Sequence, residues 1–301
     1  RYNLPMPSPN EPASPGSARR DARLRSLASS LALPAGIAAC ALVFVPTVGP
    51  WHSLRGIAGP TLALSERPVQ AALYAAVALA VSVAIAGAVG RAVNAVVGMF
   101  ALGCGVSILA MRGGTIEDLA FSAGSVRGMA IESLVWMAAI LAAAFAVFRI
   151  AGPLPDAVEI EDERIDGPLG RKAFLALAAA PLALVGVWLL ALSPAKGQAL
   201  AGVVAGSMLA ALAGRLIAPR TPPILLFAAP CLAAALGQFV VSTLLPAEVP
   251  LGTLFVARAI PRVAYPMPLD WAAAGTVGIA LGIGWSRSFL KVEPGRRPRR
   301  R

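Results

Sequence analysis

The run from Val69 to Met111, VQAALYAAVALAVSVAIAGAVGRAVNAVVGMFALGCGVSILAM, contains a single charged residue, Arg91. On each side of that arginine stand about 20 apolar or small residues, enough at 1.5 Å of helical rise per residue to cross a hydrocarbon core about 30 Å thick. Two such runs joined at one arginine read as an antiparallel pair of membrane-spanning helices.

The same pattern repeats along the chain. Apolar stretches at 31–50, 69–90, 92–111, 129–150, 173–192, 198–218, 222–245 and 271–290 are separated by segments that hold almost every charge. The expectation is an all-α polytopic transmembrane bundle of about eight spans, in one membrane domain over 31–290. Composition agrees: 57% of residues are hydrophobic, 14% are charged and the mean hydropathy is +0.74, outside the range of water-soluble domains. Residues 1–30 read as a leader, disordered and Pro-rich and then basic. Residues 151–172 read as an acidic loop and 291–301 as a basic tail.

The first span follows Arg19, Arg20, Arg23 and Arg25, and Ile37-Ala38-Ala39-Cys40 resembles a cleavage box. Apolar sequence continues through Ala41 to Val45, however, so an uncleaved helix is expected. With the N-terminus in the cytoplasm, only Arg55, Arg67, Arg112, Arg127, Lys196, Arg258 and Arg262 of the 26 basic residues fall outside. That bias follows the positive-inside rule and favours an even number of spans with both termini cytoplasmic, compatible with a bacterial inner membrane.

The net charge of +11 is assigned to the bilayer rather than to nucleic acid, the arginines of the tail lying against anionic lipid headgroups. Asp156, Glu159, Glu161, Asp162, Glu163 and Asp166 match no calcium-loop spacing and read as a solvated linker. Cys40, Cys104 and Cys231 are isolated within apolar runs, and His52 is the sole histidine, so neither a disulfide framework nor a metal site is expected. With no Walker loop and no dinucleotide fingerprint, no cofactor is expected either.

The fifth to eighth spans echo the first four. Gln70-Ala71 and Gly90-Arg91 bracket the second span as Gln198-Ala199 and Gly214-Arg215 bracket the sixth, and a tight hairpin follows each. Two tandem four-helix units would give this pattern, and so would Ala- and Leu-rich composition alone. In the sixth span Gly202, Gly206, Ala210 and Gly214 recur at every fourth residue, as do Ala274, Gly278, Gly282 and Ser286 in the eighth. Positions four apart share a helix face, so both stripes predict close helix packing.

Chemistry-bearing residues are few. Glu132 is the one carboxylate within a span; with Gln238 and Ser107 it falls in the outer half of the bundle, where the three would form a polar site open to the outside. Asn94 falls at the inner interface. The loop from Pro246 to Asp270 carries an apolar piece too short to span, expected to be interfacial or re-entrant. There Arg258 and Arg262 are candidates for an outer anion or headgroup contact.

Three functions fit this inventory. The first is a small-solute transporter or permease with Glu132, Gln238 and Ser107 along its path. The second is a non-catalytic membrane subunit or scaffold whose glycine stripes and basic tail hold other subunits. The third is a membrane enzyme acting on a lipid-linked substrate through His52, Asp270, Arg258 and Arg262. Scarcity of acid-base pairs puts the enzyme last.

Overall fold

The computed structural model describes residues 15–53, 59–122, 124–152, 154, 169–219 and 221–289, with the backbone alone for 15–29. The acidic run from Asp156 to Asp166, the basic tail and residues 1–14 lie outside the described residues.

The described residues form eleven α-helices and no strand beyond one isolated bridge between Ser53 and Ser65. In chain order these are α1 (Pro15–Phe44), α2 (Pro68–Ala92), α3 (Ala95–Arg112), α4 (Ile116–Ala120), α5 (Val126–Ala151), α6 (Arg171–Ala176), α7 (Pro181–Leu190), α8 (Lys196–Ile217), α9 (Ile224–Leu244), α10 (Leu251–Val256) and α11 (Pro268–Ser286). Helix α1 begins at Pro15, inside the stretch expected to be a leader, with proline in the first turn where its missing N–H costs nothing. The fifth span is two helices rather than one. Pro181 supplies no N–H to the preceding turn, which tightens into a 3-10 segment at Leu177–Ala179. The hairpin between α2 and α3 turns at Val93 and Asn94, not at Arg91, and the Asn94 side chain caps α3 by accepting from the Val97 N–H at 3.0 Å.

Among the described residues, seven helical segments are long and apolar enough to cross a membrane, α6 and α7 counting together. The remaining expected span, α11, is a 19-residue helix in which Asp270, Trp271 and the glycines lower the hydropathy. Most of it is buried against α8, α3, α9 and α5, with Leu281 and Trp285 among its exposed residues. A helix largely enclosed by its neighbours needs only a narrow apolar outer face.

Side-chain size is distributed inside out relative to a water-soluble helix. On α2, Val69, Leu73, Val77 and Val81 share an exposed stripe, Val69 at 74%, whereas Ala71, Ala75, Ala78, Ser82 and Ala86 are buried. Large apolar groups pointing outward and small ones inward suit a hydrocarbon solvent, in which helices gain from close van der Waals approach. The chain is a multi-pass integral membrane protein.

Both small-residue stripes are used inside the chain. A Cβ on Gly206 would strike the Ala183 backbone of α7, and one on Gly186 would strike Gly206 in return. A Cβ on Gly278 or Gly282 would strike the carbonyls of Val204 or Met208. Gly202 abuts Val187, Gly214 abuts Leu226, and Ala210 and Ala274 are buried. Helix α8 is thus clamped between α7 and α11 at backbone contact distance.

Between the halves, α3 packs along α11 and α5 along α9. The pairing is reciprocal, third span with eighth and fourth with seventh. The short helices of the two corresponding loops, α4 and α10, also meet, with Phe121 and Phe255 edge to face at 6.0 Å. Two tandem units facing each other would produce these pairs.

Candidate functional site

The helix ends sort onto two faces. Gly87 and Gly90 of α2 abut Ile150 and Ala151 of α5, Phe148 of α5 stacks edge to face on Phe227 of α9, and Gly214 of α8 abuts Ala176. These contacts bring Arg91, Arg149, Arg171 and Arg215 to one face. The opposite face carries the loops that hold α4 and α10.

On that loop face the deep polar groups are spent on bridges. Asp270 is the third residue of α11, and its Oδ2 accepts from the Met267 N–H at 2.8 Å, capping the helix where a negative charge also meets the positive end of the helix dipole. Lys196 opens α8, where a cation is unfavourable by itself. Its Nζ lies 2.8 Å from Asp270 Oδ1 and 3.1 Å from Oδ2, and donates to the Gly114 carbonyl at 2.8 Å. The side chains are 14% and 1% exposed, so the pair ties the starts of α8 and α11 to the end of α3 away from bulk water.

A second bridge joins α5 to α9. Ser133 Oγ donates to Gln238 Oε1 at 2.7 Å, and Gln238 Nε2 donates to the Pro266 carbonyl at 3.3 Å. Glu132, 8% exposed, faces a different partner: its Oε2 accepts from the Leu62 N–H at 2.9 Å and its Oε1 from Trp136 Nε1 at 3.4 Å. It anchors the segment between α1 and α2. Ser107 Oγ donates to Gly103 of its own helix at 2.8 Å.

The expected outer site of Glu132, Gln238 and Ser107 is therefore not gathered around one opening. None of the three lines any of the described cavities. In an apolar interior each side chain bonds to a nearby backbone group or helix, because an unmet polar group there is costly.

The enzyme grouping is likewise dispersed. His52 lines a cavity with Glu66, Arg67 and Gln70, Arg258 and Arg262 line another with Trp188 and Tyr265, and Asp270 is enclosed. Among the described residues no group of three or more His, Cys, Asp or Glu side chains is placed to hold a metal ion.

A cavity of about 410 Å³ lies on the arginine-rich face between the halves. Helices α3 and α11 touch at mid-bundle, where a Cβ on Gly103 would sit 3.0 Å from the Val277 nitrogen. Toward the arginine-rich end Val97 and Phe100 of α3 line the cavity with Leu281 and Ile283 of α11; Leu33 of α1 forms a further wall, and Asn94 and Arg287 stand among the lining residues. The lining is apolar apart from those two side chains.

Sequence reasoning missed the Lys196–Asp270 pair and the cavity. Asp270 two residues after Pro268 carries a capping signal, but nothing in the sequence aims Lys196 at it across 74 positions.

These features define a polytopic helical membrane protein with polar bridges on one face and a cavity on the other. Compared with protein-family models, curated proteins and solved structures, the chain matches none.

Proposed function

We propose that the chain is a permease-like transporter for a small amphipathic solute, captured with its loop face closed and a vestibule open on the arginine-rich face. The observation that carries this reading is the opposition of two features at the same interface between halves. Polar bridges join the halves on one face, Ser133 to Gln238 and Lys196 to Gly114, whereas aromatic contacts join them on both, Phe121 to Phe255 on this face and Phe148 to Phe227 on the other. A cavity lined by α1, α3 and α11 lies on the other face.

Two repeats that rock about a shared interface expose a site alternately to each side, and bridges on one face are what hold such a pair in one of its two arrangements. Gln238 then serves as part of the closure rather than as a contact along the path, and Glu132 holds the segment between α1 and α2. The apolar lining, with Asn94 and Arg287 supplying donors at the cavity, suits a solute with an apolar body and one anionic or hydrogen-bond-accepting group. By the positive-inside rule the arginine-rich face and both termini belong in the cytoplasm, as in a bacterial inner membrane, with the tail on anionic headgroups.

The alternative, a non-catalytic subunit or scaffold, is less well supported, because the glycine stripes it would use to hold partners are occupied within the chain.

The test needs no known substrate. Gly284 lines the cavity and has open space at its Cβ position, so Gly284→Cys installs a thiol without a clash. In a background with Cys40, Cys104 and Cys231 replaced by alanine, a membrane-impermeant maleimide should label Gly284→Cys from the arginine-rich side. Adding Ser133→Ala and Gln238→Ala, which release a bridge, should slow that labelling and expose Met129→Cys, buried beneath the loops, to the other side. Unchanged labelling at both positions would remove the alternating reading.

A further inference from the structure

Helix α10 ends on a left-handed turn. The Arg258 N–H donates to the Phe255 carbonyl at 2.9 Å and the Ala259 N–H reaches back to Leu254 at 2.8 Å, with Arg258 at φ +56°. This is the helix-ending motif whose left-handed position glycine fills most cheaply. Arg258 is the one residue other than glycine with positive φ among the described residues. A side chain held at a conformational cost where glycine would relieve it points to a use for that side chain.

Three residues on, Pro261 redirects the chain and Arg262 opens a 3-10 turn, while Ile260, 3% exposed, anchors the corner. Arg258 and Arg262 line one cavity of about 400 Å³ with Trp188, Leu192 and Tyr265. Both arginines are exposed, and neither guanidinium group has a hydrogen-bond or ion-pair partner among the described residues. Trp188 comes from the end of α7 and Leu192 from just beyond it, exposed at 59% and 61%, so one wall of the cavity continues onto an apolar flank of the bundle.

We propose that this cavity binds an anionic glycerophospholipid of the leaflet on the loop face. The phosphate is held between the guanidinium groups of Arg258 and Arg262, and the acyl chains run down Trp188 and Leu192. Planar guanidinium forks match phosphate oxygens in pairs, and their weak hydration lets them release water to a headgroup more readily than lysine does. Tyr265 and Trp188, each with an apolar ring and a polar edge, belong at the level where headgroup meets hydrocarbon. The site stands at a loop corner away from the proposed vestibule and does not depend on the transport reading.

The test uses the full chain in a neutral detergent, with native mass spectrometry counting retained lipid during titration with dioleoylphosphatidylglycerol or dioleoylphosphatidylcholine. The expected result is preferential retention of phosphatidylglycerol, weakened at least tenfold in Arg258→Gly/Arg262→Gln, with the weak phosphatidylcholine binding unchanged. Arg258→Gly relieves the left-handed residue, so its thermal transition in detergent should not fall, which separates lost binding from lost folding. Equal phosphatidylglycerol retention in the wild type and the double variant would overturn the proposal. So would phosphatidylcholine binding as tightly as phosphatidylglycerol, or millimolar inorganic phosphate displacing the lipid completely, which would mark a site for a free anion.

Discussion

Lys196 and Asp270 meet at 2.8 Å inside the loop face, and through the Gly114 carbonyl the same ammonium reaches the end of α3. The first traversing helices of the two halves play no part in this bridge. One side chain fixes where the third, sixth and eighth spans begin or end relative to one another.

Removing one partner of a buried ion pair leaves the other charge uncompensated, at a cost of about 3–5 kcal/mol. Lys196→Met should therefore lower the thermal transition in detergent sharply. Lys196→Met/Asp270→Asn should recover most of the loss, since asparagine keeps an oxygen for the Met267 N–H. Scanning fluorimetry of the three proteins checks this; a double variant as unstable as the single would show that the charge pairing is not what matters.

The α8–α11 contact admits no side chain at Gly282, where a Cβ would meet the Met208 carbonyl, whereas Gly284 two residues on has open space. Gly282→Ala should destabilise by about 1–3 kcal/mol through overpacking. Gly284→Ala should be neutral or gain up to about 1 kcal/mol from helix propensity. The yield of monodisperse protein and its thermal transition measure both.

Glu132 holds the backbone of Leu62. Glu132→Ala orphans that N–H, a loss of about 1–3 kcal/mol for a buried donor, while Glu132→Gln retains an acceptor. Hydrogen exchange at the Leu62 amide should accelerate strongly in the alanine variant and little in the glutamine variant.

The Ser133–Gln238 hydrogen bond crosses between halves within the bundle. A double-mutant cycle with Ser133→Ala and Gln238→Leu should return a coupling of about 0.6 kcal/mol, the usual size for interhelical hydrogen bonds in membranes. A coupling near zero would mean that the bond is not formed in the membrane.

Helix identity was legible because lipid imposes a length and a composition that Val69–Met111 meets without exception. The stripes at Gly202–Gly214 and Ala274–Gly282 announced close packing, but not that α8 and α11 would pack on each other, because a small residue names no partner. Glu132 and Gln238 were conspicuous as polar groups in apolar surroundings; their partners, a backbone N–H 70 positions away and a serine 105 away, leave no local trace. The break at Pro181 follows from proline chemistry, whereas the continuous helix through Pro230 shows that packing on both sides can carry the lost bond. The cavity depends on how far α3 and α11 separate, which no residue pattern encodes.

Rocking of the two halves is tested most directly by pulsed electron paramagnetic resonance on two spin-labelled pairs in lipid nanodiscs. One pair, Glu117→Cys with Thr253→Cys, sits on exposed positions of α4 and α10; the other, Val93→Cys with Leu281→Cys, sits on exposed positions toward the arginine-rich face. In the Ser133→Ala/Gln238→Ala background the first distance should lengthen and the second shorten, with the two new populations matched in size. Distance distributions that stay the same for both pairs, or that lengthen together, would contradict it.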